Sequence, residues 1–390
     1  MKKLIIAALV ALLMVGLTLS NSFLFIKENM RSSNVSSVSA RPLMVGVYYY
    51  IWWGISFNPH WNECIKGTPF LGKYNSSDPR IANQHILLAK QHGISFFAVS
   101  WFGEGSWTDW DFDDINNYLR NGLLRASYLQ SFNFCLFYET KVILNHANRE
   151  NRNFTEIFIN DMVYAARNYF NHSSYLHVRN APVIFIYNLP YLYSVFPVDY
   201  LQKVLDCIRQ KWASMGYNVY VVGDIGNGSP TPFSIDENWL YSMNATTTYF
   251  YSNPAKGWSC ILEEVRIYYP QWASFMGSKG LKFIPNAYPG FNNTGLENVT
   301  NPAALPFNET AFREMLTIAI NNTDKDLNMV MITSWNEWLE GTAIEPSMEY
   351  GETFLHIIYC VVPEFQFNIC LLFLLILSIT ASLYMRREYH

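Results

Sequence analysis

Eight short runs rich in β-branched and aromatic residues recur along the middle of this chain, at 45–50, 95–101, 132–138, 183–187, 219–222, 246–249, 281–286 and 329–334. Stretches of helical character separate them, and strands alternating with helices point to a parallel sheet covered by helices, an α/β fold. Eight such units predict a (β/α)8 barrel, or TIM barrel, as a single domain over 41–362. An open doubly wound sheet is disfavoured, because the count reaches eight and no Gly-x-Gly-x-x-Gly turn occurs. The punctuation agrees. Asp78-Pro79 supplies an N-cap and a first-turn proline, and Gly93 closes that helix before the second run. Gly216 and Gly280 do the same before the fifth and seventh.

In such a barrel the chemistry belongs at the C-terminal ends of the strands, and those ends can be read in turn. The first run ends in Tyr48-Tyr49-Tyr50-Ile51-Trp52-Trp53, the second in Ser100-Trp101-Phe102, the third in Tyr138-Glu139 and the fourth in Tyr187-Asn188. The fifth ends in Asp224, the sixth in Tyr249 and the seventh in Asn286-Ala287-Tyr288. Any one tyrosine there is explained by packing; the same character at every end is not. The eighth run stops abruptly in Ser334-Trp335-Asn336-Glu337-Trp338-Leu339-Glu340. Glu337 and Glu340 stand three apart, so on a turn or helical start they fall on one side and reach one pocket. Two carboxyls in one pocket push each other's pKa values apart, which lets one serve as base while the other stays an acid. A Glu-x-x-Glu pair alone would do no more than decorate a helix start. Indoles beside it are costly on a surface, and an acidic pair among aromatic rings suits a sugar, whose C–H faces lie on rings while its hydroxyls seek carboxylates. A glycosidase site is the natural reading.

The run Thr333-Ser334-Trp335-Asn336-Glu337-Trp338-Leu339-Glu340-Gly341-Thr342 resembles the Asn-Glu-Trp-x-Glu-Gly signature of glycoside hydrolase family 99, the endo-α-1,2-mannosidases, and its wider relatives. Tyr49-Tyr50-Ile51-Trp52-Trp53-Gly54, His60-Trp61 and Gly72-Lys73-Tyr74 resemble that family's opening strand and loop. Gly93-Ile94 through Trp101 resembles its second strand, and Ile186-Tyr187 its fourth, so most of 44–350 is covered. The resemblance implies a retaining mechanism without a glycosyl-enzyme ester. Glu337 would act as base on the sugar's 2-hydroxyl and Glu340 as acid on the leaving oxygen. It further implies that Trp101, Tyr187 and Tyr249 line the sugar, with Tyr49, His60, Asn336 and Trp335 as further substrate contacts. Leu339 replaces the family's usual histidine, Trp335 its phenylalanine, and Glu139-Thr140-Lys141 its Glu-Pro-Tyr, which puts Glu139 behind the reacting groups. The carboxyl pair by itself equally suits a nucleophile and an acid.

Net charge is −4, which gives no electrostatic case for a nucleic-acid partner. The ends differ from the middle. Residues 4–19 are apolar behind Lys2 and Lys3, so 1–30 reads as a secretory signal or an uncleaved anchor. Residues 365–385 are almost uninterrupted by charge, with Leu371 to Leu377 apolar on every face, and are followed by Arg386 and Arg387, which reads as a transmembrane helix. Basic flanks at both ends put everything between them outside the cell. Asn-x-Ser/Thr acceptors at Asn34, Asn75, Asn153, Asn171, Asn227, Asn244, Asn292, Asn298, Asn308 and Asn321 all fall between the two apolar segments. Six cysteines show no metal-like spacing, and a Cys64 to Cys260 bridge is conceivable outside a cell. No His-x-x-x-His pairing suggests zinc and no cofactor motif is present; Asp109-x-Asp111-x-Asp113 lacks the glycine and distal acid of a calcium loop and reads as a helix start. The expected partner is a glycan. A glycan-binding protein without hydrolysis, or a transferase in polysaccharide assembly, would carry the same aromatics.

Overall fold

The computed structural model of the 390-residue chain describes residues 41–54, 60–105, 112–226, 231–297, 299 and 301–362. The segment 1–30, the apolar run 365–385 with Cys370, the pair Asp109 and Asp111, and Asn34, Asn227 and Asn298 lie outside them. Among the described residues no helix is long and apolar enough to cross a membrane.

All eight expected strands are present: β1 (Met44–Tyr49), β2 (Phe96–Trp101), β3 (Asn133–Tyr138), β4 (Ala181–Ile186), β5 (Tyr220–Asp224), β6 (Ala245–Thr247), β7 (Lys282–Ile284 and, past Pro285, Asn286–Ala287) and β8 (Met329–Ile332). Each is hydrogen-bonded in parallel to its neighbours, with Gly46 opposite Phe96 across β1 and β2 and Met44 opposite Met329 across β1 and β8. Closure takes place at β7. Its first half pairs with β6 and its second half with β8, and Pro285 between them, which has no N–H to offer, accepts the Met331 N–H at 2.9 Å. One strand therefore serves both neighbours, and the ring has no open edge.

The covering helices are α1 (Pro79–Gln91), α2 (Phe112–Asn121), α3 (Thr140–Arg149), α4 (Phe154–Asn168), α5 (Leu189–Val195), α6 (Val198–Ser214), α7 (Gly257–Ser278), α8 (Glu309–Asn321) and α9 (Thr353–Val361). For α1 the local code acts as read: the Asp78 carboxylate accepts the Arg80 N–H, Pro79 opens the helix, and Ala82, His85, Ile86 and Ala89 form its buried face. The turn behind it needs φ +86° at Gly93, a region glycine enters at little cost. Two of the Asn-x-Ser/Thr acceptors have a second job, since Asn153 and Asn308 cap α4 and α8.

Strand side chains alternate between the barrel interior and the helix layer, and this parity decides what reaches the mouth. Tyr48 points inward, with its ring 4.6 Å from Phe137 and 5.0 Å from Tyr249. Its neighbour Tyr49 points outward, stacked 4.4 Å from Phe97 with its hydroxyl on His85 of α1. A side chain at Gly46 would strike the Phe96 ring at 2.1 Å, so glycine there lets that ring fill the floor. Four strands stop earlier than their apolar runs, at Tyr49, Ile186, Thr247 and Ile332. At Tyr50 and Tyr249 side chains near the mouth take over backbone groups: Asn336 holds both of those of Tyr50, and Asp224 accepts the Tyr249 N–H.

Candidate active site

The loop after β8 is a closed curl. The Ser334 N–H donates to the Thr342 carbonyl at 3.0 Å, the two hydroxyls meet at 2.8 Å, and Ile344 N–H returns to the Ser334 carbonyl at 3.0 Å. Ser334 Oγ also accepts the Glu337 N–H at 2.9 Å. Within the curl the chain turns tightly enough that the Glu337 carboxylate accepts the N–H groups of Leu339 at 2.9 Å and Glu340 at 3.3 Å. This is a turn rather than a helix, and the sequence reading allowed either. Glu337 is 3% exposed and Glu340 half-buried.

Five other groups gather around the pair. The Tyr50 hydroxyl donates to the Tyr249 hydroxyl at 2.7 Å, and Tyr249 lies where it favours the ionised form of the Glu340 carboxyl. Tyr187 is half-buried and lies in the field of Glu340, Glu139 and Asp224. Glu139, at the end of β3, accepts from Ser100 at 2.8 Å and feels Glu340. Asp224, at the end of β5, is fully buried and accepts the N–H groups of Asn188, Tyr249 and Gly226.

So many acids in one desolvated hollow cannot all ionise at neutral pH. Burial raises the Glu340 carboxyl to about 7, against the Tyr249 hydroxyl and the Lys141 charge, which lower it. Burial, and then the Glu340 charge, push Glu337 well above the usual carboxylate range, while its two backbone N–H bonds work the other way. The pair as a unit holds a proton into the neutral range. In the empty site the environment does not allot that proton, since the backbone donors favour an ionised Glu337 and Tyr249 with Lys141 favours an ionised Glu340. Burial likewise raises Glu139 to about 8, Asp161 to about 7 and Asp224 to about 6.

A stability test follows from the signs. A carboxyl whose folded pKa is raised favours the folded state while it stays protonated, and that contribution is lost as pH rises through the folded value. Thermal stability is therefore expected to decline from about pH 4, the free carboxylate range, to about pH 8, the value at Glu139. In Glu139→Gln the decline should be shallower at its upper end; melting curves at pH 5 and pH 8.5 that shift equally in variant and wild type would contradict this.

Of the residues read from sequence, Glu337, Glu340, Glu139, Tyr187 and Tyr249 come together. Four others do not line the hollow. Tyr49 faces α1. Trp101, also on the outward parity of its strand, is fully buried with its indole N–H on Asn116 at 2.9 Å and its ring against Tyr138, Tyr164 and Tyr169. Trp335 is wholly buried against Phe97 and His85. Asn336 clamps the backbone of Tyr50 from both sides, at 2.8 Å each, and spends its second N–H on Tyr74, so it has no donor left for a sugar. His60 stands at the rim, its ring 5.4 Å from Trp52 and its Nδ1 on Glu63. Cys64 and Cys260 are free thiols, lying against Thr294 and Glu264 respectively, so the conceivable bridge does not form.

The sequence reading missed Tyr50, Phe102 and Trp52 as lining groups. Period-two alternation from Tyr48 would have found Tyr50, and from Ser100 it would have found Phe102. Trp52, half-buried, lies 4.6 Å from the Tyr50 ring and 5.9 Å from Phe102, and its indole N–H has no partner among the described residues. Such a ring can carry the apolar face of a sugar. Because Trp101 is a wall residue, Trp101→Phe should lower the melting temperature through the lost bond to Asn116 yet leave kcat and KM within about 2-fold, the range expected away from the reacting groups. A large rise in KM would restore it to the sugar site.

Comparison with known proteins agrees with the geometry. Residues 54–354 match glycosyl hydrolase family 99. The glycoprotein endo-alpha-1,2-mannosidase of Xenopus laevis is 23% identical over 351 residues, covering 77% of this chain and 69% of that one. A human glycoprotein endo-alpha-1,2-mannosidase-like protein is 22% identical over 330 residues, covering 77% of this chain and 65% of its own length. The chain thus spans about two thirds of the curated relatives it matches. Among solved structures, a glycoside hydrolase-like protein superposes with a TM-score of 0.64 at 20% identity over 85% of this chain and 97% of the other. The family 99 endo-alpha-mannosidase of Bacteroides thetaiotaomicron does so with 0.62 at 19%, over 83% and 97%. At that identity the structures establish a shared barrel.

Proposed function

The chain belongs to glycosyl hydrolase family 99, and from that premise we propose that it cleaves α-mannosidic bonds inside glycan chains with retention, through Glu337 as base and Glu340 as acid. The observation that carries the proposal is the pair's placement on one tight turn, where the Glu337 carboxylate accepts the Leu339 and Glu340 N–H groups and burial raises both carboxyls. In the first step Glu337 takes the proton of the sugar's 2-hydroxyl as that oxygen closes on C1, and Glu340 gives its proton to the departing glycosidic oxygen. In the second, water attacks C1 and loses a proton to Glu340, while the 2-oxygen regains one from Glu337. The pair carries one proton before, between and after these steps. Neither two charges nor two protons ever need share the pocket.

Tyr249, fed by Tyr50, steadies the charge left on Glu340 after the first transfer. Trp52 and Tyr187 offer ring faces at the mouth. The value of about 7 for Glu340 gives a bell-shaped kcat/KM whose alkaline limb falls near that pH, as the shared proton is lost. An alkaline limb at ordinary carboxylate values, about 4, would contradict the shared proton.

Incubation with a panel of α-mannosyl oligosaccharides, read by product mass, tests the reaction. Release of a disaccharide or longer fragment supports internal cleavage; single sugars would argue for action at chain ends, and no release for a glycan-binding protein. As to location, we place the barrel outside the cell, held by the apolar segments 1–30 and 365–385, a proposal supported by the basic residues beside both and by the acceptor asparagines between them.

A further inference from the structure

Behind the acid-bearing loop lies a second buried polar cluster that the steps above leave unused. Its centre is Glu345, whose side chain is 1% exposed. One carboxylate oxygen accepts the Trp338 indole N–H at 3.2 Å and the Tyr74 hydroxyl at 2.8 Å. The other lies 3.0 Å from Nε2 of His85, a fully buried residue of α1. The Tyr74 hydroxyl in turn accepts from Asn336 Nδ2 at 3.0 Å, and His85 Nδ1 is 2.9 Å from the Tyr49 hydroxyl.

The placement of these partners in the sequence is what matters. Asn336 and Trp338 flank Glu337, and both are tied, one directly and one through Tyr74, to the same carboxylate. The backbone joins in, since the Glu345 N–H donates to the Trp335 carbonyl at 2.8 Å. Apolar packing would fill this space at no greater cost in stability, because a buried charge must be fully satisfied before it breaks even. A satisfied network adds direction: converging donors and fixed lone pairs allow one arrangement. With the side chains on either side of Glu337 drawn backward, the two acids are turned forward.

We propose that Glu345, seated on His85, is a positioning residue for the catalytic pair, fixing the separation between the Glu337 and Glu340 carboxyls. This role rests on the glycosidase reading above. It is geometric, so a neutral acceptor of the same shape should serve. In Glu345→Gln the amide oxygen can face Trp338 and Tyr74 while the amide N–H meets His85, whose ring then takes its other tautomer and donates to Tyr49.

The test is steady-state kinetics across pH on the full chain. Tyr74→Phe, which removes a single hydroxyl, should lower kcat by about 10-fold, and Glu345→Ala by about 100-fold, the scale of a 1 Å misplacement, with KM changed far less. The limbs of the pH profile should move toward each other in both, because acids held less closely split each other's pKa less. Glu345→Gln should stay within about 3-fold of wild type, a barrier change of about 0.65 kcal/mol, which is small beside the effect of a misplaced acid. Unchanged kcat and limbs in Tyr74→Phe overturn the proposal, and so does a fall in kcat with both limbs unmoved, which is what lost folded enzyme alone would give. A Glu345→Gln enzyme as poor as Glu345→Ala also overturns it, since charge would then be the cause. A wild type inert toward every α-mannoside overturns the function and this role together; an active wild type with indifferent variants overturns this role alone.

Discussion

Glu340→Gln and Glu337→Gln are each expected to lower kcat by about 10²–10⁴-fold, the usual contribution of a positioned acid or base. Both substitutions keep the shape of the side chain and remove its ability to exchange a proton. The double variant should be scarcely worse than either single one, because the groups act as a unit and one without the other completes neither step. Melting temperatures should hold or rise, since each variant removes an ionisable group from a site that raises its pKa. The surviving carboxyl should titrate lower than in the wild type, as the charge of its partner is gone, which carboxyl-labelled NMR would read directly. A single variant that retained more than a tenth of wild-type kcat would remove that residue from the mechanism.

The second large effect is expected at Asn336, through a different route. Its amide holds the Tyr50 N–H and carbonyl at 2.8 Å each, where β1 has ended and no strand remains to do so. Asn336→Ala leaves both groups buried without partners, at about 1–3 kcal/mol apiece. It also frees Tyr50, whose hydroxyl supports Tyr249 and through it Glu340. We expect a fall in kcat of about 100-fold, as for a catalytic group displaced by 1 Å, together with a marked drop in melting temperature. Tyr50→Phe, which cuts the hydroxyl relay and keeps the clamp, should leave the melting temperature nearly intact. If Asn336→Ala raised KM alone, with kcat and stability unaltered, Asn336 would be a sugar ligand after all.

The barrel was legible in the sequence because its signal is repeated. Each of the runs carries the same apolar character, and breakers such as Asp78-Pro79 and Gly93 sit where helices begin and end. The acid pair was legible because Glu337 and Glu340 lie three apart on one short loop. What escaped was parity. A run such as Tyr48-Tyr49-Tyr50 is aromatic on both faces, so composition does not say which ring enters the barrel, and a shift by one residue exchanges inside for outside. The family resemblance carries Tyr49 and Trp101 to the sugar and passes over Tyr50, and composition offers no parity to correct it. Asn336 and Trp335 escaped differently: they lie beside Glu337 in sequence, but their own partners, Tyr50 just past the first strand and Phe97 in the second, are visible only once the ring has closed. The strand ends were overestimated for a related reason, since the backbone at Tyr50 keeps an extended look while its hydrogen bonds go to a side chain from the far end of the chain.

The central claim is that Glu337 and Glu340 together open an α-mannosidic bond within a chain and return the product in its original configuration. Following the first-formed anomer by proton NMR on an α-1,2-linked mannosyl oligosaccharide tests this most directly. The account predicts the α anomer of an internal fragment at earliest time, with the β anomer growing in only by mutarotation, and no signal from Glu340→Gln. A β anomer formed first, or the same products from the variant, would contradict it.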